Sequence, residues 1–345
     1  MTRASARPLT AAEKARGVGT SIELFTGGGG LALAMHAAGF RHLLAIEIER
    51  RACATLVANR AVPFDSKARA PKRLADPWPL IEGDIRSVDF TPWRDAVDVV
   101  AGGVPCQPWS LGGVHKGYED HRNLWPELFR CVRETRPTVV IAENVKGLLR
   151  PTFRPYYEYI LNELALPFEQ RVDGEDWRDH AKRLRKALTR PPADPTERYD
   201  VTYHLVNAAD YGVPQVRWRV FVVAIRSDVV HDWSFPAPTH SEAALHYDQA
   251  TGEYWERHGI RPRDGFAPSS LTLPDDRLPW VTIRDAIADL PKPIDKVEHP
   301  EVLHHVGWPG AREYPGHTPN DLDRPAKTVK AGVHGVPGGE SVLRL

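Results

Sequence analysis

The stretch Asp98-Val99-Val100-Ala101-Gly102-Gly103-Val104-Pro105-Cys106-Gln107-Pro108-Trp109-Ser110 opens as a short apolar run, stops at paired glycines and puts a cysteine on a proline-rimmed loop. That is the pattern of a buried strand delivering a thiol to a sheet edge, where open α/β folds place their ligands. A cysteine there is either a nucleophile or an accident of loop composition. The residues on either side bear on which.

Upstream, Ser21 to Phe25 reads as a short apolar strand, and Gly27-Gly28-Gly29-Gly30 turns it into an Ala/Leu-rich helix, Leu31 to Ala38. Leu43 to Ile48 and Arg51 to Asn59 repeat the pair, and Arg60 to Trp78 is a basic, proline-containing insert. Asp84 ends a third short segment, Val97 to Ala101 is a fourth strand and Thr138 to Ala142 a fifth. Strand alternating with helix predicts an α/β fold with a doubly wound, mostly parallel sheet. Arg150 to Thr196 reads as a helical and loop-like connector on the rim. Thr202 to Asn207 and Arg219 to Ile225 read as a strand pair that closes the sheet.

Beyond Ser227 aromatics and prolines increase and periodicity weakens; the 31 prolines crowd into Pro191 to Pro195 and the stretch from Phe235 onward. The expected organisation is a tail over 1–18, an α/β domain over 19–226 and a smaller, loop-rich domain over 227–345. The 345 residues have room for these. Hydrophobic content of 42% and charged content of 26% are those of a globular protein. No apolar run approaches the roughly 18 residues of a membrane helix, and the Arg/Ala-rich start has no apolar core of a secretory signal. Three cysteines, Cys53, Cys106 and Cys131, cannot build a disulfide framework, and none has zinc-ligand spacing. No metal and a reducing cytoplasm are expected. Lys+Arg and Asp+Glu both total 45, so any nucleic-acid footprint has to be a local patch.

The glycine loop opens a helix directly after a strand, where backbone N–H groups can approach a ligand closely. It has neither the dinucleotide spacing nor the Lys-Ser/Thr of a phosphate loop. Glu47, ending the second strand, suits the two hydroxyls of a ribose. Asp84, following Gly83, suits an adenine amino group. Three such features at successive strand ends favour an adenosyl group without a pyrophosphate. Glu143, near the end of the fifth strand, can give or hold a proton beside Cys106. Arg217 and Arg219 alternate on an incipient strand and so share a face, suited to a ring carbonyl or a phosphate.

In this order the motifs resemble those of the DNA (cytosine-5) methyltransferases, from Ser21 to about Ile225. Phe25-Thr26-Gly27-Gly28-Gly29-Gly30 resembles the first cofactor motif, Glu47-Ile48 the second and Gly83-Asp84-Ile85 the third. Pro105-Cys106-Gln107 resembles the catalytic motif, Glu143-Asn144-Val145 the ENV motif, and Gln215-Val216-Arg217-Trp218-Arg219 the QxRxR motif. Asn123-Leu124 sits where the family's fifth motif meets the methionine end of the cofactor.

The resemblance implies a Rossmann-like, S-adenosylmethionine-dependent methyltransferase with a smaller target-recognition domain. It implies cofactor contacts at Phe25, Gly27, Gly29, Gly30, Glu47, Ile48, Asp84, Ile85, Gly103, Pro105 and Leu124. Catalysis falls to Cys106, attacking C6 of a cytosine, and to Glu143, engaging N3 and the exocyclic amine. Arg217 holds O2, and Arg219 supports the site. The base has to be flipped out of duplex DNA, at a cost of a few kcal/mol of unstacking, and Gly112, Gly113 and Gly117 are the expected hinges of a loop closing over it. Trp280 to Leu290 and Arg324 to Val329 resemble recognition regions of bacterial members, and Lys327, Lys330 and His334 are suited to phosphates or groove edges.

The family pattern continues with a ninth and a tenth motif that are not found before Leu345. A second polypeptide supplying them, or a truncated reading frame, is therefore expected, with weak cofactor binding by this chain alone. A cognate restriction endonuclease fits a restriction-modification setting. A tRNA cytosine-5 methyltransferase shares the same motifs, and a catalytically silent DNA-binding subunit is the reading from another class.

Overall fold

The computed structural model describes residues 10–105, 123–229, 232–262, 276–307, 319–328 and 343–344. Cys106, the hinge glycines Gly112, Gly113 and Gly117, and Lys330 and His334 lie outside the described residues. The chain divides into two compact units, 1–205 with 220–234, and 206–219 with 235–345.

After the short helix α1 (Ala11–Arg16), β1 (Gly19–Leu24), α2 (Gly30–Ala37), β2 (Phe40–Glu47) and α3 (Arg50–Asn59) follow the alternation read from the sequence. The next strands are β3 (Ala61–Pro63), β4 (Trp78–Glu82) and β5 (Val99–Gly103), then α4 (Trp125–Thr135), β6 (Val139–Val145), α5 (Arg154–Ala165) and α6 (Trp177–Leu188). β7 (Tyr199–Asn207), β8 (Gln215–Val216) and β9 (Trp218–Arg226) follow. The main sheet has eight strands in the order β3-β4-β2-β1-β5-β6-β9-β7.

The first six of these pair in parallel. β9 runs against its neighbours: Arg226 N–H donates to the Thr138 carbonyl just ahead of β6, and Ser227 N–H to the Arg198 carbonyl just ahead of β7. Strand order departs in opposite directions from β1, toward β2 and toward β5, so the switch point where such sheets bind ligands lies at the carboxyl ends of β1 and β5.

Both faces of the sheet are covered, which is why its strands read as near-continuous apolar runs. On one face Ile22, Leu24, Leu44, Ile46, Val100 and Val140 pack with Trp125, Leu128 and Val132 of α4 and Ile160 of α5. On the other, Ala45 and Leu80 pack with Ala32 of α2 and Cys53 and Leu56 of α3, while Met35 packs on Val99 and Ala101. Cys53 and Cys131 are both buried and free, and burial pushes both thiols up. They are core residues rather than reagents.

The strand limits differ from the apolar runs in ways that matter at the edge. β1 stops at Leu24 because Phe25 takes a left-handed backbone conformation, with φ of 54°. β6 runs on to Val145, so Glu143 and Asn144 stand on the strand itself rather than after it. The basic insert contributes an edge strand, β3, which ends on Pro63. Pro79 is tolerated in β4 because the pairing of β4 with β2 begins only at Leu80.

The second unit is built on α7 (Glu242–Thr251), capped by Ser241, and on α8 (Glu253–His258) and α9 (Ile283–Ile287). Leu245, Tyr254 and Trp255 form its core. Asp323 is fully buried beside it and accepts from Tyr254 Oη at 2.9 Å and Arg284 Nε at 2.6 Å. Its described strands after Phe235 are two-residue pairings, as expected of a loop-rich segment.

Candidate active site

The carboxyl ends of β1, β2 and β4 are sewn together by short hydrogen bonds. Thr26 N–H and Thr26 Oγ1 both donate to the Ile46 carbonyl, at 3.0 Å each. Gly83 N–H donates to the Glu47 carbonyl at 2.9 Å. The Glu47 carboxylate accepts from Gly27 N at 2.6 Å through Oε2, and from Ile48 N at 2.8 Å and Glu49 N at 2.7 Å through Oε1. One carboxylate thereby holds the glycine turn and the start of α3 at once. The turn itself closes with Gly29 N–H on the Thr26 carbonyl.

Asp84 caps the short turn after β4, accepting from Arg86 N at 2.9 Å and Arg86 Nη1 at 3.0 Å. The bond from the Arg86 backbone N–H, reinforced by the Arg86 side chain, holds the Asp84 carboxyl below its ordinary range. It is anionic at neutral pH and has lone pairs left to accept further donors.

These strand ends enclose a cavity of about 190 Å³, lined by Phe25, Ile46, Glu47, Ile48, Gly83, Asp84, Ile85, Arg86, Gly103, Pro105 and Leu124. Eight of the eleven residues expected at the cofactor line it: Phe25, Glu47, Ile48, Asp84, Ile85, Gly103, Pro105 and Leu124. Gly27, Gly29 and Gly30 do not; they form the turn that the Glu47 carboxylate holds through Gly27 N–H. Ile46, Gly83 and Arg86 join the lining without having been singled out as contacts. Arg86 has a sequence signal in hindsight, as the N2 position of a turn capped by Asp84.

The donor set fits an adenosyl group. Apolar walls from Phe25, Ile48, Ile85 and Leu124 suit a flat ring, and two carboxylates accept from hydroxyl and amino groups. A pyrophosphate is poorly served, because Gly27 N–H and Gly29 N–H are both engaged within the protein and Arg86 is paired with Asp84.

The next strand end carries Glu143. The β5–β6 register sets Glu143 against Gly103, and Glu143 Oε2 lies 3.6 Å from where a Cβ on Gly103 would sit. The carboxylate therefore stands over a residue of the cavity lining, three residues before Cys106 in sequence. Beside it, Asn144 reaches back from β6 to donate to the Val104 carbonyl at 3.1 Å. Next to the lining residue Leu124, Asn123 Nδ2 donates to Tyr156 Oη at 2.6 Å, which anchors the chain at the head of α4.

Arg217 and Arg219 belong to the second unit, and the continuous alternating strand expected through them is broken. Arg217 falls between β8 and β9. The break has a cause. Arg217 N–H is taken by Asn207 Oδ1 at 3.1 Å, and its carbonyl accepts from Ala208 N at 3.0 Å. β8 pairs instead with Ala326–Lys327, and Thr328 Oγ1 donates to the Val216 carbonyl at 2.7 Å. Two stretches 112 residues apart are thus hydrogen-bonded neighbours.

A family model described as C-5 cytosine-specific DNA methylase matches residues 19–166 and 195–276. The type II methyltransferase M.NgoMIV of Neisseria gonorrhoeae is 33% identical over 69% of this chain and 62% of its own length. M.Eco47II of Escherichia coli is 34% identical over 69% of this chain and 47% of its own length. M.AquIA of Picosynechococcus is 32% identical over 78% of this chain and 88% of its own length. The chain thus spans between about half and nine-tenths of these relatives. Matched over both halves of its sheet, and about a third identical to these relatives where they align, the chain belongs to the family of C-5 cytosine-specific DNA methylases.

Proposed function

We propose that the chain is a DNA (cytosine-5) methyltransferase that methylates C5 of a cytosine flipped out of a specific duplex site. The observation that carries this reading is the row of carboxylates at successive strand ends. Glu47 and Asp84 line a cavity fit for an adenosyl group, and Glu143 stands over Gly103 at its rim, three residues before Cys106. The type II names of the relatives support a restriction-modification setting, in which a cognate endonuclease would be the counterpart.

Glu47 accepts the ribose hydroxyls, Asp84 accepts the adenine amine, and Phe25, Ile48, Ile85 and Leu124 exclude water from the ring. S-adenosylmethionine, when bound there, supplies an electrophilic methyl group to C5. The Cys106 thiolate adds to C6 of the cytosine, while Glu143 hydrogen-bonds N3 and the exocyclic amine and so favours the electron-rich C5. Arg217 holds O2, and Arg219 supports the site. Loss of the C5 proton to solvent water and expulsion of the Cys106 thiolate restore the aromatic ring. Residues 19–226 carry this chemistry, and 227–345 read the target.

The test is trapping on duplex DNA containing 5-fluorocytosine, with S-adenosylmethionine present. A covalent adduct lost in Cys106→Ser is the expected result. An adduct that survives in Cys106→Ser, or methylation of tRNA in preference to duplex DNA, would overturn it.

A further inference from the structure

The basic insert takes no part in the proposed chemistry, yet it builds the larger opening of the first unit. Between Arg60 and Trp78 the sequence holds five basic residues and two acidic ones, in a chain whose formal net charge is zero. The insert folds back over β4 and the turns that follow it, leaving a groove of about 1160 Å³. Its floor is apolar, formed by Val62, Phe64, Ile81, Val88, Pro92 and Trp93 among others. Val62 is 43% and Phe64 36% exposed, and the Phe64 and Trp93 rings lie 5.7 Å apart.

The groove is held open by its own hydrogen bonds. Arg41 Nη1 donates to the Arg16 carbonyl at 2.9 Å and to the Lys72 carbonyl at 3.1 Å, pinning the insert to the end of α1. Leu74 N–H donates to the Ala15 carbonyl, and Asp76 caps the backbone of Lys72 and Arg73. A preformed groove spares a ligand the cost of ordering it.

The charges around it are unequal in their engagement. Asp65 accepts from Lys67 N, Asp76 from Arg73 Nε as well as two backbone groups, and Asp89 from Thr91. Among the described residues no carboxylate comes within ion-pair distance of Arg69 or Lys72, both of which are exposed on the rim. An apolar floor with uncompensated cations along one rim asks for an anionic ligand that also brings apolar side chains.

We infer that this groove docks an acidic peptide segment of a partner protein, seating an aromatic or aliphatic side chain against Phe64 and Trp93 and its carboxylates against Arg69 and Lys72. The volume exceeds the roughly 300–1,000 Å³ of small-molecule sites. Duplex DNA would bring phosphates to the rim but nothing to cover the floor, since most of its contacts to protein are through phosphate and sugar. The groove is also separate from the cofactor cavity: no residue lines both, and the turn Ile85–Ser87 stands between them.

The test uses the full chain and a short fluorescein-labelled peptide of Asp and Glu around one Trp and one Leu, followed by fluorescence anisotropy. Saturable binding tighter than about 1 mM is expected. The paired change Arg69→Glu with Lys72→Glu, on exposed side chains, weakens it at least tenfold, as does replacing the peptide's Trp and Leu by Ser. Binding of S-adenosylhomocysteine stays unchanged in that variant. Affinity indifferent to both changes, no saturation below about 1 mM, or displacement of the peptide by an equal concentration of duplex DNA overturns the assignment.

Discussion

Asn144 donates from Nδ2 to the Val104 carbonyl at 3.1 Å, and its side chain is all but sealed from solvent at 2% exposure. The bond ties β6, one residue past Glu143, to the chain leaving β5 toward Cys106. The other end of the amide is used as well: Oδ1 accepts from Val145 N at 2.8 Å.

Asn144→Ala orphans a buried carbonyl, which costs about 1–3 kcal/mol. Asn144→Asp is expected to be worse, because a carboxylate then faces the Val104 carbonyl. Urea unfolding should rank wild type above Ala above Asp. An Asp variant as stable as wild type would show that the bond does not order this edge.

Glu47→Gln removes a charge that three backbone N–H groups share and turns an amide NH₂ toward at least one of them. Hydrogen bonds to charged groups are worth about 1.5–3 kcal/mol, so affinity for S-adenosylhomocysteine should fall roughly ten- to hundredfold. Calorimetric titration measures it directly. Unchanged affinity would remove Glu47 from the cofactor site.

Gly102 and Gly30 should respond in opposite senses to alanine. A Cβ on Gly102 would meet the Leu24 carbonyl at 3.0 Å and Leu24 Cβ at 3.1 Å, so β1 and β5 would have to part. Gly102→Ala should cost about 1–3 kcal/mol as an overpacked core change. Gly30 has nothing within 4 Å of such a Cβ and opens a helix, so Gly30→Ala should stabilise by about 0.5–1 kcal/mol. Thermal melts of the two variants decide the matter, and loss of cofactor affinity in a stabilised Gly30→Ala would place that glycine's backbone against the ligand.

Glu163 makes stability fall as pH rises through the weakly acidic range. It is buried beside α6, 3.2 Å from His180 and 3.8 Å from Arg133, and burial pushes its carboxyl from 4.5 up to about 7 despite the arginine. The folded state therefore holds a proton that the unfolded state has released, and this favours folding below about 4.5 and is lost as pH rises through about 7. The size is a few kcal/mol. Glu163→Gln removes this contribution. Urea unfolding across that range should show the stability of the wild type declining against that of the variant, and a constant difference would count against the burial argument.

Much of the α/β half was legible in the residues because its signals are local. An apolar run ending in glycine marks a strand and its turn, and an acid at a strand end such as Glu47 or Asp84 is visible without knowing what it faces. The glycine loop was legible as a turn, but its partner was not. That Gly27 N–H meets the Glu47 carboxylate depends on β1 lying beside β2, and no window of sequence contains both. The break at Arg217 was hidden for the same reason, since it follows from β8 choosing Ala326–Lys327 as its neighbour.

By itself the sequence determined the strand-and-helix alternation, the acids at the strand ends and the family to which the chain belongs, because periodicity, turn chemistry and short motifs are written in contiguous residues. Only the tertiary structure decided that Glu143 and Asn144 stand on β6 rather than beyond it, that Asn144 holds the exit of β5, and that a basic insert encloses a groove. Those outcomes rest on strand register and on hydrogen bonds between residues tens of positions apart, which form only when the sheet brings them within reach.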